Sequence, residues 1–179
     1  MKSLNKSRWV IDPMHTEVMF KVKHLVIATV TGSFEKFEGH LESTSDDFSD
    51  AYIEFSADVN SINTNMPDRD AHLISPDFFD AANFPKLTFK SKSFKKKGES
   101  EYKLVGDLTI RGTTREVTID AEYGGTMKDP YGNTKAGFEL SGKIKRKEYG
   151  LHWDAVTEAG GVVVSDEVKL VVNVELAKQ

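Results

Sequence analysis

The chain contains no cysteine. Disulfides, thiolate nucleophiles and cysteine-held zinc are therefore excluded. It also lacks a long apolar run: the stretch Leu25-Val26-Ile27-Ala28-Thr29-Val30 is far too short to cross a bilayer as a helix. Only 5 prolines occur in 179 residues, with no low-complexity tract, internal repeat or interdomain linker, so nothing divides the chain into separate folding units. Positive charge is not in excess: 24 Lys and Arg stand against 28 Asp and Glu, and a net charge of -4 argues against general nucleic-acid binding. No Gly-x-Ser-x-Gly elbow and no HExxH motif is present. Residues 1–8 carry basic side chains but no apolar stretch. They are read as an N-terminal extension without a secretory signal, and a cytoplasmic location is expected.

What is present is alternation. Val18, Phe20 and Val22 alternate with Met19, Lys21 and Lys23. Ala51, Ile53, Phe55, Ala57 and Val59 form a second set, and Leu104, Gly106, Leu108 and Ile110 a third. Val117, Ile119, Ala121 and Tyr123 follow, then Phe138, Leu140, Gly142 and Ile144. Val168, Leu170, Val172, Val174 and Leu176 close the chain. Period two with one apolar face marks half-buried strands. Two more strands are expected over residues 34–41 and 87–94. The turns Lys95-Lys96-Lys97-Gly98-Glu99-Ser100 and Asp129-Pro130-Tyr131-Gly132-Asn133 link hairpins. Glycines 106, 112 and 142 are expected to mark bulges or bends.

The expected fold is all-β, a single eight-stranded antiparallel β-barrel over residues 9–179. Closure removes sheet edges. Short helices are expected only in the loop around 68–83, with another helical turn around 147–153. A barrel of eight strands is either filled by its side chains or just wide enough for one ligand. Alternation alone leaves both readings open. Small inward residues such as Ala57 and Gly142 would leave room for a chain under the second.

The densest chemistry is Asp68-Arg69-Asp70-Ala71-His72-Leu73-Ile74-Ser75-Pro76-Asp77-Phe78-Phe79-Asp80. Arg69, Asp70 and His72 suit either of two roles. They can form a polar mouth that donates to a pyrophosphate or quinone head group. They can equally tie a long loop to the barrel through buried hydrogen bonds. His15 and His24 flank the first of the alternating strands and are expected to approach His72. Three histidines with Asp70 would suffice for zinc or iron, but no two sit at a metal-motif spacing, and no metal is expected. Phe78, Phe79 and Phe84 line an entrance or plug an end. Lys95-Lys96-Lys97 reads as a solvated hairpin tip, with at most transient contact with a membrane surface.

Several blocks together resemble one family. They are Trp9-Val10-Ile11-Asp12-Pro13-Met14-His15-Thr16, Arg69-Asp70-Ala71-His72-Leu73, Phe84-Pro85-Lys86-Leu87-Thr88-Phe89 and Gly106-Asp107-Leu108-Thr109-Ile110-Arg111-Gly112. With Tyr149-Gly150-Leu151 and Ser165-Asp166-Glu167-Val168 they are similar to the YceI-like, lipocalin-like polyisoprenoid-binding proteins. Three positions depart from that pattern: Thr16 for Ser, Asn63 for Asp and Val26 for Gly. The resemblance implies a barrel that binds a long-chain polyisoprenoid or isoprenoid quinone as carrier or store, not an enzyme, with no other cofactor and with a possible homodimer. Pore-lining residues would then be Phe20, Ile53, Phe55, Ala57, Phe89, Leu108, Ile110, Phe138 and Leu140. His15, His24, Arg69, Asp70, His72, Phe78 and Phe79 would form the mouth or lid. The alternatives are a histidine- or metal-dependent enzyme acting on an apolar substrate, and a stress-related interaction protein with a filled barrel.

Overall fold

The computed structural model describes residues 6–154 and 163–179. Eleven strands form one antiparallel sheet. They are β1 (Ser7–Ile11), β2 (Glu17–His24), β3 (Ala28–Phe34), β4 (Phe37–Ser43), β5 (Tyr52–Asp58), β6 (Ile62–Asn63), β7 (Lys86–Lys96), β8 (Glu101–Ile110), β9 (Thr113–Lys128), β10 (Thr134–Lys145) and β11 (Val164–Lys178). The order β1-β4-β5-β7-β8-β9-β10-β11 returns to β1, which closes an eight-stranded barrel. Every alternating segment is a strand, and its apolar phase faces inward.

Strand β11 is long enough to hold two partners in line. Its end pairs with β1, at Trp9↔Lys178 and Ile11↔Leu176, and its remainder pairs with β2, from Asn173↔Glu17 to Val164↔His24. β1 and β2 thus act as one broken strand, interrupted by a 3-10 turn at Pro13–His15. β1 also begins at Ser7, so Ser7 and Arg8 belong to the sheet, not to an extension.

The single strand expected over residues 34–41 is two. The chain breaks at Glu35 and Lys36: Phe34 pairs with Val18, whereas β4 pairs with β1 and β5. Phe34 and Phe37 are three residues apart, so period two slips between them: Phe34 falls in one phase and Phe37, Gly39 and Leu41 in the other, on either side of the break. β6 continues the sheet beyond β3 by two residues.

The two ends are closed differently. At the end holding the β9–β10 hairpin, the loop 44–51 folds inward and Phe48 plugs the barrel. Its ring sits 5.4 Å from Trp9, 5.7 Å from Tyr123 and 5.5 Å from Phe138, each near edge-on. Phe94 stacks on Tyr102 at 4.5 Å beside it. Asp50 stiffens the loop by accepting from Ser43 Oγ at 2.5 Å and Thr44 N at 2.9 Å. The Tyr102 hydroxyl donates to the carbonyl of Asp47.

The other end carries the one α-helix among the described residues, α1 (Pro67–Ile74), and a run of turns to Phe84. Of the short helices expected around 68–83, one forms, and residues 77–83 are turns. Backbone bonds such as Phe79 N to Leu73 O and Ala81 N to Ile74 O fold the segment back on α1 instead. A 3-10 turn, Arg146–Tyr149, overlaps the start of the helical turn expected around 147–153.

Candidate functional site

Inside the barrel, between the Phe48 plug and α1, lies a cavity of about 240 Å³ with almost wholly apolar walls. Phe20, Ile53, Phe55, Phe89, Leu108, Ile110, Phe138 and Leu140 line it. Ala57, grouped with them from the sequence, does not: it is buried at 1% exposure but is not part of the wall. Val18, Val22, Val172 and Val174 belong to the wall as well.

The small residues do not make the room. A Cβ on Gly106 would lie 2.4 Å from the Phe89 ring, and one on Gly32 would lie 2.2 Å from the Phe20 ring. These glycines seat aromatic rings flat against the wall. The bulge near Gly106 is on the partner strand, where the register slips between Ser91 and Ser93. Gly142 likewise packs against Ile119 and is not at a register shift. Gly112 does sit in a bend, the tight β8–β9 turn, at φ +74°.

The lid residues divide. Phe78 and Phe79 border the cavity, and so does Leu73 from α1. Arg69 and Asp70 spend their groups on one neighbour, Thr64. Arg69 Nε donates to Thr64 Oγ1 at 2.8 Å and its second nitrogen to the Thr64 carbonyl at 2.6 Å. Asp70 Oδ1 accepts from Thr64 N at 2.9 Å. This geometry ties α1 to β6. His72 Nε2 lies 2.8 Å from Asp77 Oδ2, and its ring packs edge-on against Phe78 and Trp153.

The expected convergence of histidines fails for His15. Its Nδ1 lies 2.9 Å from Asp12 and 3.2 Å from Glu175, on the outside wall where β1 gives way to β2. The His72 cluster sits near Ser165, ten residues back along β11, or roughly 30 Å of strand. His24 ends β2, opposite Val164 and Ala28. Among the described residues the one group with three potential ligand atoms mutually within 4.8 Å is Asp12, His15 and Glu175. Lys135 Nζ already occupies Asp12 at 2.8 Å. Hydrogen bonds from Lys135 and then His15 hold the Asp12 carboxyl well below its usual range, and Asp12 and Glu175 raise His15. The group is an ion-pair network whose carboxylate is already satisfied by cations.

One residue absent from the motif reading matters more. Arg146 is 3% exposed and borders the cavity. Its guanidinium donates to the carbonyls of Ser165 (2.9 Å), Leu151 (2.7 Å), Trp153 (2.8 Å) and Val164 (3.1 Å), with Asp154 at 4.0 Å. Burial lowers its pKa from the usual arginine value. The signal was in the alternation: Phe138, Leu140, Gly142 and Ile144 face inward, and the next position in phase is 146. Arg111 adds a second clamp, donating to Phe78 O at 2.7 Å and Gly150 O at 3.1 Å. The other polar residues at the cavity border are His40 and Glu54, 3.9 Å apart. The phenol of Tyr149, pushed up to about 12 by burial, stays protonated and is not part of the wall.

A family model described as the YceI-like domain matches residues 9–176. A UPF0312 protein of Staphylococcus aureus (strain USA300) is 38% identical over 172 residues, covering 96% of this chain and 98% of that protein. The crystal structure of the Campylobacter jejuni YCEI protein superposes with a TM-score of 0.74 at 33% identity, covering 100% of this chain and 99% of that one. A polyisoprenoid binding domain from Saccharophagus degradans shares the fold, with a TM-score of 0.69 at 15% identity and coverage of 99% and 100%. Barrel, lid and matched sequence agree from end to end, and the chain belongs to the YceI-like family.

Proposed function

We propose that this protein binds the tail of a polyisoprenoid or isoprenoid quinone inside the barrel and serves as its carrier or store. The observation that carries this reading is the cavity: apolar on nearly all sides, beneath a lid that presents Phe78 and Phe79 to it. Each methylene-sized group withdrawn from water contributes about 0.8 kcal/mol. Ten such groups give roughly 8 kcal/mol before ordering costs, so apolar burial alone is enough to retain a ligand. The likeness to a polyisoprenoid binding domain supports the same class of ligand. At about 240 Å³ the cavity lies just under the range of about 300–1,000 Å³ common for small-molecule sites. It therefore houses part of a long tail, and the remainder passes the lid.

Binding, not turnover, fits the wall. Among the described residues no serine or threonine hydroxyl lines it, and Arg146 has its donors engaged by backbone carbonyls. Organic extraction of natively purified protein should release a long-chain isoprenoid, and native mass spectrometry should show the matching adduct. Val172→Trp, which fills the cavity from the middle of β11, should remove the adduct and block uptake of added geranylgeraniol while the fold persists by circular dichroism. Wild-type protein that carries no lipid and takes up no geranylgeraniol would overturn the reading.

A further inference from the structure

The β2–β3 hairpin ends in Leu25, Val26 and Ile27, of which Val26 is 75% and Ile27 85% exposed. Leu25 and Val26 both adopt left-handed backbone, at φ 54° and φ 65°. That conformation suits glycine or asparagine and is a marked outlier for a β-branched residue. A solvated turn gains nothing from valine there. Strain of this kind persists only where something beyond local backbone preference favours the residue.

The wall behind the tip supplies an independent observation. Lys21, Lys169 and Lys143 lie directly opposite one another across β2, β11 and β10. They point outward, since their neighbours Phe20 and Leu170 line the cavity. Lys23 and Lys145 extend the patch toward the tip, and Glu167, 3.6 Å from Lys143, is the carboxylate in these rows. Like charges placed directly opposite across strands are unfavourable, and this row occurs in a chain whose net charge is -4. Lys23 and Lys21 sit two and four residues behind Leu25, roughly 7 and 13 Å along the strand. A head-group layer is about 5–7 Å deep, so a tip reaching the acyl boundary sets Lys23 at the outer edge of the head groups and the Lys21 row roughly 6–8 Å above them, within a Debye length of the charged surface.

We propose that the hairpin tip and this lysine wall dock the barrel on an anionic lipid surface, with the end that holds the Arg146 clamp turned toward the bilayer. The proposal rests on the lipid-binding reading for its purpose but not for its test. A convex three-residue tip offers too little area for a stable protein interface, which needs about 800 Å² per partner. A bilayer requires no such complementarity.

Co-sedimentation with large vesicles of phosphatidylglycerol and phosphatidylcholine tests it. Wild-type protein should bind these, release as salt rises, and bind pure phosphatidylcholine weakly. Val26→Asn with Ile27→Asn should weaken binding by about tenfold or more while the melting temperature holds or rises, because asparagine relieves the left-handed strain. Lys21→Glu with Lys169→Glu should do the same and flatten the salt dependence. Met127→Ser with Tyr131→Ser, exposed apolar residues at the far end of the barrel, should change nothing. Cavity-filling Val172→Trp should bind vesicles like the wild type, so loss of lipid loading and loss of docking read separately. Unchanged vesicle binding in the tip variant, or release by the Met127 and Tyr131 pair, would overturn the proposal.

Discussion

Arg146 holds the upper rim of the barrel by its donors alone. Four backbone carbonyls from two chain segments converge on its guanidinium, and the planar fork meets them without rearrangement. Lysine has neither the fork nor the reach to serve all four. Arg146→Met leaves buried acceptors unpaired and should cost about 3–5 kcal/mol in denaturant unfolding, with Arg146→Lys recovering little of it. Gly32 and Gly106 make the complementary case: they are required where Phe20 and Phe89 rest on the wall. From the sequence Gly106 resembled a bulge or bend, and Gly32 carried no such reading. The ring above each one is set by a neighbouring strand or hairpin partner, so local pattern did not carry it.

Among the elements, the junction between β1 and β2 is the most exposed to pH. Asp12 Oδ1 caps the 3-10 turn through Met14 N at 3.0 Å, and its other oxygen takes Lys135 and His15. The Asp12 pKa is depressed by folding from an ordinary 3.8, so its stabilisation is full above that value and is lost as pH falls through the lower folded one. Asp12→Asn should therefore cost about 1–2 kcal/mol at neutral pH. The gap from the wild type should begin to close below about pH 4 in urea titrations. His15 runs the other way. Its pKa is raised from 6.5, so its contribution is full below that and fades as pH rises through the raised value. The stability difference between wild type and His15→Asn should be larger at acid than at alkaline pH. Hydrogen bonds accepted by Asp12 and Asp70 explain why the segments around His15 and Arg69 read as functional: the same groups that hold a ligand also hold a turn.

Across the whole molecule, one end is sealed and the other is lidded. The seal depends on Phe48, 3% exposed and in contact with three aromatic rings. Phe48→Ala should cost about 3–4 kcal/mol and open a second route into the cavity, read as lower thermal stability together with faster exchange of a bound fluorescent prenyl probe. The loop that carries Phe48 has no alternation and few apolar residues, so nothing in it announced a plug. It becomes one because Asp50 and Tyr102 fix its path across the barrel end.

The closed eight-stranded all-β barrel and the inward phase of the alternating strands were legible in the chain because burial on a pleated sheet repeats every two residues, whereas β1, β3 and β6 were not read from it. The blocks around Asp12, Arg69 and Arg111 likewise carried the family. Tertiary structure alone decided which end His15 occupies and that a cavity persists at all. Alternation specifies the side of the sheet on which a residue lies, not how far its ring reaches toward the axis. That distance is set by packing across strands far apart in sequence, and in this barrel it leaves an apolar space where the same pattern was equally consistent with a solid core.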